Sequence, residues 1–102
     1  SKVCGVKYND LNGNGARDAG EPTLSGWQII LDGVGTGTTV TDRAGNYCFS
    51  PLKAGDYVIK EVQQPGWTQT APASGSYQFN LAAGQSVSGY DFGNRRGGGD
   101  DK

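Results

Sequence analysis

The chain is short, rich in glycine and nearly neutral: it has 102 residues, of which 18 are glycine and none is histidine, and its formal net charge is −1. This length predicts one domain, and the balanced charge excludes the basic surface typical of proteins that bind nucleic acid or anionic membranes. Without histidine, neither a conventional catalytic triad nor a zinc site is expected, so we do not expect an enzyme.

The predicted elements are all strands. Segments rich in Val, Ile, Tyr, Phe and Thr alternate with clusters of Gly, Asn, Asp and Pro, a pattern typical of short strands joined by polar turns. We expect strands at residues 2–8, 26–31, 36–41, 46–49, 56–63, 76–81 and 86–92. This spacing predicts an all-β, seven-stranded antiparallel sandwich that spans residues 1–94. Residues 95–102 are charged and glycine-rich, and we expect a flexible linker or tail there. No apolar run is long enough to insert into a membrane.

The first long loop carries the most specific motif in the sequence. Residues 10–21 match the pattern Asp-x-[Asp/Asn]-x-[Asp/Asn]-Gly-x5-Glu at every required position. Such loops supply the six to eight hard oxygen ligands that Ca²⁺ takes. The predicted ligands are side-chain oxygens and one backbone carbonyl, which belongs to the alanine: Asp10, Asn12, Asn14, Ala16, Asp18 and Glu21.

A simpler reading of this stretch is a polar turn, but six correct positions in register favour calcium. The loop follows a predicted strand and precedes Pro22 and another strand, so a helix-flanked calcium sensor is not expected. The ion would instead fix a long surface loop against the edge of the sandwich.

The chain has two cysteines, Cys4 and Cys48, which fit either one disulfide or two free thiols. The two side chains share a relative face if Val3 and Tyr47 both point inward. We therefore predict a disulfide, which an extracellular location would preserve. The chain-entropy model gives such a bond a stabilising effect of about 3–4 kcal/mol.

Several short motifs together resemble a known family. Beside the loop at residues 10–21, these motifs lie at residues 5–10, 26–31, 42–49, 54–57, 61–70 and 90–94. Their order and spacing resemble those of the Sdr-type B domains of bacterial surface adhesins and of the related collagen-adhesin B-type repeats. The resemblance implies a prealbumin-like or inverse immunoglobulin-like fold in an exported protein of the cell surface or cell wall. It also implies a stalk or spacer function, with adjacent modules of the same polypeptide as partners and the isolated domain monomeric. The chain would then be a piece of a larger protein.

The collagen-adhesin resemblance further implies an intramolecular isopeptide bond. In that family a first-strand Lys joins a last-strand Asn or Asp, assisted by a Glu on a central strand. Lys7, Glu61 and Asp91 match these positions, and Asn94 is a second possible acceptor. A plain ion pair of Lys7 with Glu61 or Asp91, or a Lys7 side chain that reaches solvent, remains the alternative.

The alternative function is a module that binds carbohydrate or a protein ligand. Five aromatic residues could form a stacking surface for such a ligand, although packing in the core or at a sheet edge is the favoured explanation, most strongly for Trp27: Tyr8, Trp27, Trp67, Tyr77 and Tyr90.

Overall fold

A computed structural model describes residues 1–96, and these form two β-sheets packed face to face. The strands, in chain order, are β1 (Lys2–Asn9), β2 (Gln28–Gly33), β3 (Gly37–Val40), β4 (Asn46–Phe49), β5 (Gly55–Glu61), β6 (Trp67–Ala71), β7 (Ser76–Leu81), β8 (Ser86–Val87) and β9 (Phe92–Arg96). Within these residues there is no helix, and therefore none that could cross a membrane.

The two sheets differ in how they are connected. One has the order β4-β1-β9-β6, with β8 also paired to β1, and the other has the order β3-β2-β5-β7. Strand β1 runs antiparallel to β4 but parallel to both β8 and β9. The first and last strands of the described chain therefore lie side by side in one sheet.

The core follows from the alternation of side chains along each strand, because successive residues of a strand point to opposite faces. Val3 of β1, Tyr47 of β4 and Phe92 of β9 face the second sheet, from which Ile29 and Ile59 face back. All five are buried. Burial of aromatic and β-branched side chains on both inner faces is the main stabilising contribution in a sandwich of this kind.

The predicted β-sandwich is confirmed, with differences in the number and direction of its strands. Nine strands replace the expected seven, because β6 was not predicted and the strand expected at residues 86–92 divides into β8 and β9. The sandwich is also not wholly antiparallel, since β1 pairs with β8 and β9 in parallel. Because Asp91 connects β8 to β9 outside either strand, the last strand starts later than the sequence suggests.

The predicted tail also needs a correction at its start. Arg95 and Arg96 belong to β9, where they pair with Thr68 and Trp67 of β6. Backbone hydrogen bonds to β6 extend the folded unit past residue 94. The rest of the expected linker, residues 97–102, lies outside the described residues.

Candidate functional site

The most unusual feature of the interior is a lysine on an inward-facing position of β1. Lys7 continues the buried series of Val3 and Gly5, and its side chain is completely buried. Charged groups are almost never fully buried unless they are paired. The partners of Lys7 therefore define the candidate site.

Lys7, Glu61 and Asn94 form a closed cluster between the sheets. The Lys7 ammonium donates a short hydrogen bond to Asn94 Oδ1, while Asn94 Nδ2 donates to Glu61 Oε2 at 2.8 Å. Glu61 Oε1 lies 3.6 Å from Lys7 Nζ. The Asn94 amide thus lies between the amine and the carboxylate, with one end bound to each.

Burial shifts the acid–base behaviour of both charged groups toward their neutral forms. Desolvation lowers the pKa of Lys7 from 10.5 to about 8, although the Glu61 charge opposes this. Desolvation likewise raises the pKa of Glu61, against the opposing effects of Lys7 and of the Asn94 hydrogen bond. A buried amine with a lowered pKa is the usual form of a nucleophilic lysine.

Trp27 closes the cluster on one side. Its ring centroid lies 4.2 Å from Lys7 Nζ, and its ring packs edge-on against Trp67 at 5.4 Å between centroids. Trp27 is buried, and its backbone N–H donates to the Thr41 hydroxyl at 2.9 Å, which fixes its position. The aromatic wall keeps water away from the amine.

Asp91, the expected acceptor, lies elsewhere. Its Oδ1 accepts the backbone N–H of Val6 at 2.9 Å, and the residue precedes β9 rather than lying within it. Asn94 takes the place expected for Asp91 because β9 starts at Phe92, so that Phe92 and Asn94 share the inward face. The signal in the sequence was the alternation of Phe92 and Asn94, which the predicted strand end at residue 92 concealed.

Residues 10–21 form a loop whose conformation is held by hydrogen bonds to its own side chains. The buried Asp10 carboxylate accepts the backbone N–H groups of Asn14 and Gly15, at 3.3 and 2.8 Å. Gly15 has a φ of 81°, a conformation that side chains disfavour, and a Cβ there would lie 3.4 Å from the Thr70 carbonyl oxygen. The motif glycine therefore makes the turn that brings the loop back toward β6.

The remaining predicted ligands face one another across this loop. The side-chain amides of Asn12 and Asn14 donate to Asp18 Oδ2 at 2.9 and 2.7 Å. The Asp18 N–H donates to Glu21 Oε1 at 2.9 Å, and Ala16 donates its N–H to Asn14 Oδ1 at 3.0 Å. Glu21 is buried, and its Oε2 accepts no hydrogen bond from any described residue.

The donor set of the loop fits a hard cation. It offers carboxylate, amide and backbone oxygens, and the unpartnered Glu21 Oε2 is the kind of buried acceptor that a cation would satisfy. Within residues 1–96, no three Asp, Glu, Cys or His side chains gather into a metal-binding group. Any bound Ca²⁺ would therefore also depend on the amide oxygens of Asn12 and Asn14.

The predicted disulfide is confirmed. Cys4 of β1 lies directly opposite Cys48 of β4, and the two sulfurs are bonded. Both side chains point away from the core, since the neighbouring Val3, Tyr47 and Phe49 point inward. Cys48 is exposed to solvent.

The five aromatic residues considered for ligand stacking do not form one exposed face. Tyr8 and Trp27 are buried, and the other three are partly buried. Tyr77 packs against Tyr90 at 5.0 Å between ring centroids and donates its hydroxyl to the backbone oxygen of Asp91. Trp67 packs against Trp27 instead, so four of the five residues form two separate aromatic pairs.

Comparison with solved structures shows that this fold is similar to that of two pilins. The chain superposes on the shaft pilin SpaA from Lactobacillus rhamnosus GG with a TM-score of 0.70 and 14% sequence identity, covering 94% of this chain and 51% of the pilin. It superposes on GBS52, the minor pilin of Streptococcus agalactiae, with a TM-score of 0.64 and 17% identity, covering 93% of this chain and 44% of GBS52. Identities this low relate the folds alone.

Sequence comparison identifies the family. The chain is 39% identical over 72 residues to serine-aspartate repeat-containing protein F of Staphylococcus epidermidis, covering 68% of this chain and 4% of that protein. The same protein from strain ATCC 12228 is 36% identical to the chain over 83 residues, which cover 78% of this chain and 5% of that protein. The chain thus corresponds to a small part of these relatives. The sequence model of the SdrD B-like domain matches residues 2–90, and the chain belongs to this family of B-type domains.

Proposed function

We propose that this chain is a spacer module in the stalk of an extracellular surface protein, that it closes on itself through an isopeptide bond between Lys7 and Asn94, and that it binds one Ca²⁺ in the loop at residues 10–21. The observation that carries the covalent part is the buried arrangement in which the Asn94 amide touches both Lys7 and Glu61. The resulting module is structural and turns over no substrate.

The reaction starts from neutral reactants. Transfer of a proton from the Lys7 ammonium to the Glu61 carboxylate leaves an amine and a carboxylic acid, and burial favours both neutral forms. Lys7 Nζ, which lies beside the Asn94 amide oxygen in the folded protein, then attacks Asn94 Cγ with its free electron pair. The reacting groups are held together before the reaction, so the entropic cost of bringing them together is already met.

The atoms balance with the loss of one ammonia. The new bond joins Nζ to Cγ, and the bond from Cγ to Nδ2 breaks. Nδ2 takes the proton that Glu61 holds, while Glu61 takes a proton from Nζ. The bond between Asn94 Nδ2 and Glu61 Oε2 provides the path for the first of these transfers. The products are an amide, a neutral Glu61 and ammonia, so no buried charge remains.

Intact mass spectrometry of the reduced, denatured protein tests the bond. We expect a mass one ammonia below the sequence mass. Glu61→Gln should restore the full mass because the amide side chain cannot shuttle the proton, whereas Asp91→Asn, which changes a carboxyl outside the cluster, should keep the loss. A wild-type mass equal to the sequence mass would leave only the buried ion pair.

The calcium part rests on the loop. Asp10, Asp18 and Glu21 would supply carboxylate oxygens, Asn12 and Asn14 amide oxygens and Ala16 its carbonyl oxygen, while the bound ion would neutralise the carboxylates and organise the loop. An ion that binds only the folded state stabilises it by about 2.7 kcal/mol at a hundredfold excess over Kd. We therefore expect a chelator to lower the melting temperature and calcium to restore it.

Matched variants make the calcium test specific. Glu21→Ala should abolish the response, whereas Asp32→Asn, which changes an exposed carboxylate on β2, should leave it intact. If a protein shown to be loaded with calcium melts at the same temperature after chelation, the loop has no metal function.

The proposed location and partners follow from the family and from the length of the relatives. Those relatives are named for serine-aspartate repeats, and the chain covers only 4–5% of their length, so neighbouring modules of one exported polypeptide are the proposed partners. Expression of this module joined to its flanking sequence tests this. Fixed distances between labels on adjacent modules would support a spacer, and freely varying distances would contradict it.

A further inference from the structure

The loop at residues 10–21 and the segment that follows it make backbone hydrogen bonds to both residues of the proposed covalent bond. At its beginning, the N–H of Asp10 donates to the carbonyl oxygen of Asn94 at 2.8 Å. Just beyond its end, the N–H of Leu24 donates to the carbonyl oxygen of Lys7 at 2.9 Å. The amine donor and the amide acceptor are thus each tied to one end of the same loop.

A third hydrogen bond completes the attachment. The N–H of Asn9, on β1, donates to the carbonyl oxygen of Pro22 at 2.8 Å, and Tyr8 and Thr23 form an isolated bridge between these contacts. The segment that leaves the loop therefore runs along β1 beside Lys7. Opening of the loop would remove support from β1 on this side.

Asn94 depends on the loop in a different way. In the parallel pairing of β1 with β9, Asn9 lies opposite Asn94, and beyond it β1 ends and the loop begins. The bond from the Asp10 N–H to the Asn94 carbonyl oxygen holds the backbone of Asn94 against β1 at the point where the loop begins. The orientation of the Asn94 amide between Lys7 and Glu61 requires this backbone position, since a shift of one residue would turn the side chain to the other face.

We propose that calcium binding in the loop positions Lys7 and Asn94 for reaction, so that the ion controls how fast the isopeptide bond forms. This inference rests on the proposed function and adds a coupling between its two parts. Asp10 is a positioning residue in this scheme: its carboxylate belongs to the proposed metal site and its backbone N–H holds the acceptor. Without the ion, only hydrogen bonds among its own side chains and backbone hold the exposed part of the loop, so both attachments are held less firmly.

The coupling has a thermodynamic counterpart. If calcium favours the arrangement that the bond also requires, then the bonded protein must bind calcium more tightly than the same protein without the bond, because coupling between two sites is reciprocal. A Glu61→Gln variant, which lacks the bond but keeps the loop, allows this comparison.

The rate is measured during cell-free synthesis of the chain, with either a calcium-selective chelator or added calcium. Samples are quenched in denaturant at intervals, reduced and analysed by intact mass for the loss of ammonia. We expect the loss to be slower with chelator by about tenfold or more, since small misplacement of reacting groups costs as much as about a hundredfold in rate. Glu21→Gln should react slowly even with calcium, and Asp32→Asn should react as the wild type does.

Calorimetric titration with calcium supplies an independent measurement. We expect the bonded wild type to bind calcium about fivefold or more tightly than Glu61→Gln, within the usual range of coupling between sites. Equal rates with and without calcium, together with equal affinities, would overturn the coupling while both parts of the proposed function stand. Failure to lose ammonia under any condition, or absence of calcium binding, would instead remove the proposed function and the coupling with it.

Discussion

The two halves of β1 carry a disulfide and the proposed isopeptide site on opposite faces. In the first half, Cys4 points outward and is bonded to Cys48 on β4 at the protein surface. In the second half, Lys7 points inward and contacts Asn94 on β9 without any access to water. The comparison shows how alternation along a single strand separates a site that oxidant and reductant can reach from one that depends on desolvation.

Removal of the carboxylate from the buried half should have the largest effect. Glu61→Ala prevents the proposed bond and leaves the Lys7 charge buried without its partner, which typically costs about 3–5 kcal/mol. Urea unfolding at neutral pH measures this. A double variant, Lys7→Met with Glu61→Leu, should recover much of the loss because it removes both charges. If Glu61→Ala unfolds at the urea concentration of the wild type, the carboxylate does not stabilise the cluster.

Reduction of the disulfide should have a somewhat smaller effect. The bond closes a sequence separation of 44 residues, and the chain-entropy model gives its loss a cost of about 3–4 kcal/mol. The effect should be largest in Glu61→Gln, since the proposed second cross-link already restricts the unfolded wild type. Urea unfolding of both proteins with and without reductant measures the two costs. Equal costs in both would mean that the wild type has no second cross-link.

A change of pH should have the smallest effect on stability, and it should act on the buried half of β1 alone. In a protein without the isopeptide bond, the folded state lowers the pKa of Lys7 from 10.5 to about 8. Between these values the unfolded state binds more protons, so stability rises with pH. In the bonded protein Lys7 does not titrate.

Parallel melts of wild type and Glu61→Gln check this prediction. Only the variant should gain stability as the pH rises toward 10.5, and the gain should begin below pH 8, because Glu61→Gln removes the charge that raises the pKa of Lys7. A matched pH profile in the two proteins would mean that Lys7 is in the same state in both.

The disulfide was easier to predict than the buried cluster for a physical reason. Two cysteines leave one possible pairing, and alternation alone places Cys4 and Cys48 on matching faces. The acceptor at Asn94 depended on where the last strand starts, and the sequence pattern did not mark the break between Val87 and Phe92. No strand was predicted from Trp67 to Ala71, although Trp and Thr favour strands, because a strand this short carries only a weak pattern of its own.

The loop at residues 10–21 was predictable because its motif is local. Its pattern depends on positions within one short stretch of sequence, so no long-range pairing had to be inferred. What the sequence could not indicate is where the loop packs, since its contacts with Asn94 and Lys7 depend on the parallel pairing of β1 with β9. Long-range parallel pairing leaves no local signal in the chain.

The parallel pairing of β1 with β9 determines how the module responds to mechanical load. A force that pulls Lys2 away from Arg96 acts along both strands in opposite directions, so the hydrogen bonds between them are loaded together in shear instead of being unzipped one at a time. A bond from Lys7 to Asn94 would carry that load directly across the two strands. The chain between these two residues, which includes most of the sandwich and the loop at residues 10–21, would then bear no tension and could not extend.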